Sequence, residues 1–154
     1  MQLGLFITLD NTLITTRSGR THALHSEDWK FISETIYAIK DYYDKGYKIF
    51  IICNQFQISQ GFTPKLAFVK KLEDIIETIE KDLKLKKNSI SYDYNIEEGL
   101  YRTLPNPGII YELATDFEID VVNSILIGSC YADKHTAINS GIKNYITVTD
   151  LVYN

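Results

Sequence analysis

The chain has 154 residues, 45% of them hydrophobic and 23% charged, with a formal net charge of −4 and a pI near 5.3. That length and apolar share fit one compact domain, residues 1–154, able to bury a central sheet between two helical layers. The acidic balance excludes a global basic field for nucleic acid or an anionic membrane, so any polyanion contact has to be local. The two cysteines, Cys53 and Cys130, make neither a spaced metal-ligand cluster nor a disulfide framework, which fits a soluble protein of a reducing intracellular compartment, cytoplasmic or nuclear. No apolar run is long enough to span a bilayer, and the opening MQLGLFITLD lacks the basic start of a signal peptide. Abundant Ile, Lys, Asn and Tyr suggest an AT-rich coding genome, as in a low-GC bacterium, a phage or a large DNA virus.

In chain order, LGLFITL (3–9) is a short β-rich run bounded by polar residues and reads as a strand buried on both faces. Residues 27–43 carry Trp29, Ile32, Ile36 and Ile39 three and four apart, predicting a core-facing helix with Ser26 as its N-cap. Gly46 ends it, and 48–53 is a second apolar strand. Thr63 as cap and Pro64 at the first helical position then open a long helix, with Leu66, Val69, Leu72, Ile76 and Ile79 at helical spacing. A third strand follows at 89–95, a loop with Pro105 and Pro107, a helix from Gly108, a fourth strand at 124–128, a short helix ending at Gly141 and a fifth strand at 144–148. This alternation predicts an α/β fold, a doubly wound parallel sheet of about five strands with no large cap domain. Its functional loops should lie at the carboxyl ends of the strands.

Those loops hold the unusual residues: TLDNTL after strand one, CNQ after strand two, YRTLP after strand three and GSCYAD after strand four. Their order resembles the haloacid dehalogenase (HAD) phosphatase superfamily. Within it, the resemblance is to the 3′-phosphatase domain of polynucleotide kinase 3′-phosphatases, with histidinol-phosphatase-like enzymes as nearer general relatives. The family's Asp-x-Asp-Gly-Thr-Leu stands here as Thr8-Leu9-Asp10-Asn11-Thr12-Leu13, followed by Thr16-Arg17-Ser18-Gly19. Its Thr-Asn-Gln stands as Cys53-Asn54-Gln55, its Tyr-Arg-Lys-Pro as Tyr101-Arg102-Thr103-Leu104-Pro105, and its Gly-Asp as Gly128-Ser129 with Asp133 downstream.

The resemblance implies an aspartate nucleophile at position 8, an acid–base aspartate at position 10, Mg²⁺ held from positions 8 and 129, and phosphate bound from positions 53 and 103. The residues present are Thr8, Asp10, Ser129, Cys53 and Thr103, so only Asp10 keeps its carboxyl group. A threonine hydroxyl without an adjacent base is a poor nucleophile, and hydroxyls are poor substitutes for the carboxylates that Mg²⁺ prefers. The expectation is therefore a catalytically inactive phosphatase-like module, without metal or cofactor, that binds or scaffolds a protein partner or a nucleic-acid end. The alternative is an active polynucleotide or small-molecule phosphatase with a rearranged site, using Asp10 or Asp133 as the reacting carboxylate and then expected to need Mg²⁺. A purely structural subunit is a third reading.

Thr12, Asn54, Gln55, Arg17, Arg20 and Arg102 are the further cleft candidates, the arginines as phosphate contacts at its mouth or as solvated loop residues. Asp10 either serves acid–base chemistry or caps the turn after strand one. Cys53 reads as core and Cys130 as the more exposed thiol. His22, His25 and His135 are not at metal-ligand spacing. The 11 tyrosines divide between core positions and a candidate binding surface.

Overall fold

Leu5, Phe6 and Ile7 are fully shielded from solvent, as a strand between two helical layers requires. The structure, a computed structural model, describes residues 1–152, so the last two positions of the expected 1–154 domain lie outside the described residues. In chain order the elements are β1 (Gly4–Thr8), β2 (Ile14–Thr15), β3 (Lys30–Phe31), α1 (Ser33–Asp44), β4 (Lys48–Asn54), α2 (Phe56–Ser59), α3 (Lys65–Asp82), β5 (Ile90–Asn95), α4 (Gly108–Phe117), β6 (Ile125–Gly128), α5 (Tyr131–Ser140), β7 (Asn144–Thr147) and α6 (Val148–Val152). Five strands form one sheet in the order β5-β4-β1-β6-β7, and every pairing in it is parallel. The doubly wound α/β architecture read from the sequence is the observed one. No large cap domain interrupts the described residues.

Side-chain alternation along the central strands divides the core in two. Leu5, Ile7, Ile49, Ile51 and Ile127 join Ile39 of α1 and Leu72, Ile75 and Ile79 of α3 on one face. Phe6, Phe50, Ile52 and Leu126 pack with Ile109, Ile110 and Leu113 of α4 and Ala137 of α5 on the other. There the Phe6 and Phe50 rings stack with centroids 4.9 Å apart. Chain order reverses about β1, with β4 on one side and β6 on the other. Crevices at such switch points, outside the carboxyl ends of the strands, are where open α/β sheets bind ligands.

Three local readings need correction. The first helix starts at Ser33, not Glu27, and its N-cap residue is Ile32. Residues 27–29 are loop, and Lys30–Phe31 pairs antiparallel with Ile14–Thr15 as a small two-stranded sheet of its own. The cause is Asp28, whose carboxylate accepts hydrogen bonds from Ser18 N, Ser18 Oγ and Leu24 N at 2.7–2.9 Å and draws this segment into the loop. The long helix begins at Lys65, with Pro64 in the extended N-cap position and no side-chain cap bond from Thr63. Leu66, read as core-facing, is 83% exposed.

Candidate active site at the carboxyl edge of the sheet

Where β1 ends, Thr8 begins a row of polar side chains. Its hydroxyl donates to Asp133 Oδ2 at 2.9 Å and lies 2.8 Å from the Thr12 hydroxyl, which in turn donates to Ser129 Oγ at 3.0 Å. Asp133 Oδ2 also accepts from Ser129 N at 2.9 Å, and its carboxylate stands in the first turn of α5, where negative charge meets the positive end of the helix dipole. Thr8 is 5% and Asp133 9% exposed, and Thr12 is fully buried; Ser129 forms the exposed end of the row. Gly128 permits this geometry. A Cβ there would lie 2.4 Å from Asp133 Cβ and 2.8 Å from its Oδ2, so Asp133 reaches the strand end only because residue 128 has no side chain. Asn11 turns the chain between Thr8 and Thr12 at φ 60°, a left-handed conformation that asparagine tolerates better than most residues.

Asp10 stands apart from this row. It is exposed, accepts a 3.4 Å contact from Gln55 Nε2, and lines a cleft of about 1000 Å³ that extends over the loop 15–29 and the start of α3. Thr8, Ser129 and Asp133 do not line that cleft. Gln55 is buried and is itself contacted by Gln57 Nε2 through its Oε1, which fixes the amide that faces Asp10. The other wall is held by Asp28. Its three hydrogen bonds, that from the Leu24 amide foremost, pull its carboxyl down to about 2.

The remaining predicted site residues are employed elsewhere. Asn54 pairs with the backbone of Leu104 in both directions, at 2.9 and 3.0 Å, and ties the second loop to the third. Thr103, where the family has its lysine, donates to the Glu97 carbonyl at 2.8 Å and accepts from Asn95 Nδ2 and Leu100 N at 3.0 Å, so it closes its own loop. Arg102 turns away from the cleft to Asp93 at 2.6 Å and to Glu112; the Asp93 hydrogen bond leads in raising its already high pKa. Arg17 donates its Nε to the Trp29 carbonyl at 2.6 Å, and neither Arg17 nor Arg20 lines the cleft. Cys53 is buried, and burial pushes its thiol up to about 12. The structure therefore brings Thr8, Thr12, Ser129 and Asp133 into one group and Asp10 with Gln55 into another, and leaves Arg102 outside both.

Sequence reasoning missed Lys71, Gln57 and Phe62, all lining the cleft. Lys71 lies six residues beyond the start of α3, and only the folding of α3 against the first loop brings it there. Phe62, at 80% exposure, carried one available signal, a large apolar residue in the polar stretch before Pro64.

The family model described as polynucleotide kinase 3 phosphatase matches residues 5–151. Similar curated proteins include the D-glycero-beta-D-manno-heptose-1,7-bisphosphate 7-phosphatase of Helicobacter pylori strain J99, 26% identical over 149 residues, covering 93% of this chain and 86% of that protein. The D-glycero-alpha-D-manno-heptose-1,7-bisphosphate 7-phosphatase of Photorhabdus laumondii is 28% identical over 127 residues, covering 75% and 67%. Among solved structures, the D,D-heptose 1,7-bisphosphate phosphatase of B. bronchiseptica superposes with a TM-score of 0.75 at 14% identity, covering 95% of this chain and 80% of that one. A HAD-like phosphatase from Mesorhizobium loti gives 0.81 at 16%, covering 94% and 71%; at these identities the likeness is one of fold.

The expectation of an inactive binding or scaffolding module is overturned by these relatives, which are named as phosphatases. One of its premises also fails, because Thr8 does have an adjacent base, the Asp133 carboxylate. No helix among the described residues is long and apolar enough to cross a membrane. With the match running almost end to end, the chain belongs to the polynucleotide kinase 3 phosphatase family, on a HAD-like fold.

Proposed function

We propose that this chain is a phosphatase for a small phosphate monoester, working through a rearranged site in which Asp10 is the reacting carboxylate. One observation carries the reading: Asp10 is exposed on the large cleft, whereas Asp133 has its Oδ2 committed to Thr8 and Ser129. The phosphatase names of the related proteins support the small-molecule class. An aspartate carboxylate can attack phosphorus directly, splitting one hard step into two easier ones. In the first, an Asp10 oxygen–phosphorus bond forms and the phosphorus–alkoxide bond breaks, the departing oxygen taking a proton from cleft water. In the second, water attacks the aspartyl-phosphate, inorganic phosphate leaves, the Asp10 carboxylate is restored and a proton returns to solvent. Gln55 orients Asp10, and Lys71 supplies the one fixed positive charge among the described lining residues.

An active member of the family would be expected to use Mg²⁺, and the donor set here does not match that ion. Hydroxyls of Thr8 and Ser129 stand at the two carboxylate positions. Among the described residues no group of three or more His, Cys, Asp or Glu side chains is placed to hold a metal. No step above runs through a metal. With fewer charges to stabilise the transition state, turnover is slow, since such electrostatic stabilisation is usually the largest single contribution to catalysis. The test is release of inorganic phosphate from a panel of phosphate monoesters, with Mg²⁺ and with EDTA, by wild type and Asp10→Asn. Wild-type release falling by roughly 100-fold or more in the variant supports the reading. A wild type without activity under both conditions would overturn it.

A further inference from the structure

The same cleft carries a statement about what is attached to the phosphate, and it rests on the phosphatase reading above. Beyond Asp10 the lining is poor in charge: among the described lining residues Lys71 is the only lysine or arginine, set against Asp10 and Asp28, with His22 and His25 on the loop wall. A substrate bearing a second phosphate would bring two further negative charges to a wall that holds one compensating cation beside two carboxylates, and crowding like charges together is costly.

Apolar and aromatic surface is what the cleft offers instead. Phe62 stands at its edge with 80% of its surface exposed, and Leu24 faces solvent from the loop wall with 58%. Trp29, half-buried, lines the same space and is held edge-on against Phe31 with ring centroids 5.0 Å apart. Gln55, Gln57 and Gln60 line the same space. A lining that holds both aromatic side chains and neutral amides suits a flat ring with polar edges, and Asp10 on the same cleft places that ring on the leaving group of the same substrate.

We infer that the substrate is a monophosphate whose leaving group is neutral and carries a flat aromatic ring, seated against Phe62 and Trp29, and that it is not a sugar bisphosphate.

Trp29 is the chain's single tryptophan and so reports occupancy without turnover. Benzylphosphonate, which has no phosphate ester to hydrolyse, is titrated into the full chain while Trp29 emission is followed, with methylphosphonate and fructose 1,6-bisphosphate alongside. The inference predicts a saturable change with benzylphosphonate at lower concentration than with the other two. Phe62→Ala should weaken that response by roughly 2- to 10-fold, the worth of one aromatic contact, and leave methylphosphonate unchanged. Phe62 is exposed, so the variant should fold, and its circular dichroism serves as the check. Tighter binding of the bisphosphate, no Trp29 response to benzylphosphonate, or an equal loss for both phosphonates in Phe62→Ala would each overturn the inference. A Trp29 response in a chain that releases no phosphate would sink the phosphatase reading and leave the ring site standing. Phosphate release with a silent Trp29 would do the reverse.

Discussion

The two sides of the first strand's carboxyl end differ in how their polar groups are spent. Toward α5, Thr8, Thr12, Ser129 and Asp133 satisfy one another in a mostly buried row, and no buried side-chain nitrogen or oxygen among the described residues lacks a partner. Toward α3, Asp10 has a single long contact and opens onto a large cleft. A saturated network holds a loop in place because breaking any member costs desolvation without return, while an under-used carboxylate is free to meet a ligand. Family position alone would assign the chemistry to Thr8. The proposed function, argued from accessibility, assigns it to Asp10.

Substitutions can break that contrast, the costliest in the scaffold that both sides share. Ile51→Ala, at a fully buried position of β4, should lower unfolding free energy by about 2–5 kcal/mol in urea denaturation. Gly128→Ala comes next. Its new methyl collides with Asp133, so a loss of about 1–3 kcal/mol is expected, together with displacement of the Asp133 carboxylate from Thr8 and Ser129. Thr8→Val keeps the shape and removes one donor to Asp133, for about 1–3 kcal/mol of stability. Its turnover should stay within roughly tenfold of wild type, because Thr8 does not line the cleft that holds Asp10.

Acid should loosen the cleft wall before the core. Asp28 has its folded pKa lowered to about 2 from the ordinary 3.8, so its contribution to stability is fully present above about pH 4 and is lost as pH falls from there toward 2. Asp28→Asn should flatten that part of the acid limb in a pH series of denaturation midpoints. The smallest effect separates the two thiols. Cys53, buried and raised to about 12, should stay unlabelled by a thiol reagent in the native protein, while exposed Cys130, its pKa raised chiefly by desolvation, reacts slowly.

Much of the scaffold was legible in the sequence, because continuous apolar runs such as LFI and IFIIC and helical spacing such as Leu72, Ile76 and Ile79 express burial directly. The loop order placed the site at the sheet edge for the same reason. The small two-stranded sheet was not legible, since Ile14–Thr15 and Lys30–Phe31 are two residues each and too short to show a period. The early start given to the first helix followed from counting Trp29 with Ile32, although Asp28 binds backbone amides of the preceding loop. Nor could spacing show that Thr8 meets Asp133 across 125 positions, or that Arg102 finds Asp93 and Glu112 before it finds the cleft. Such pairings depend on which groups the fold leaves unsatisfied, and that is fixed only when the chain is closed.

The central claim, that Asp10 is the group that takes the phosphoryl, is tested most directly by trapping. Wild-type protein turning over a phosphate monoester is quenched and reduced with borohydride, which converts an aspartyl-phosphate to homoserine, and the peptides containing positions 10 and 133 are read by mass spectrometry. Homoserine at position 10, present in wild type and Thr8→Val and absent in Asp10→Asn, is the predicted result. Phosphate release without that product, or the same product at Asp133, would contradict the assignment.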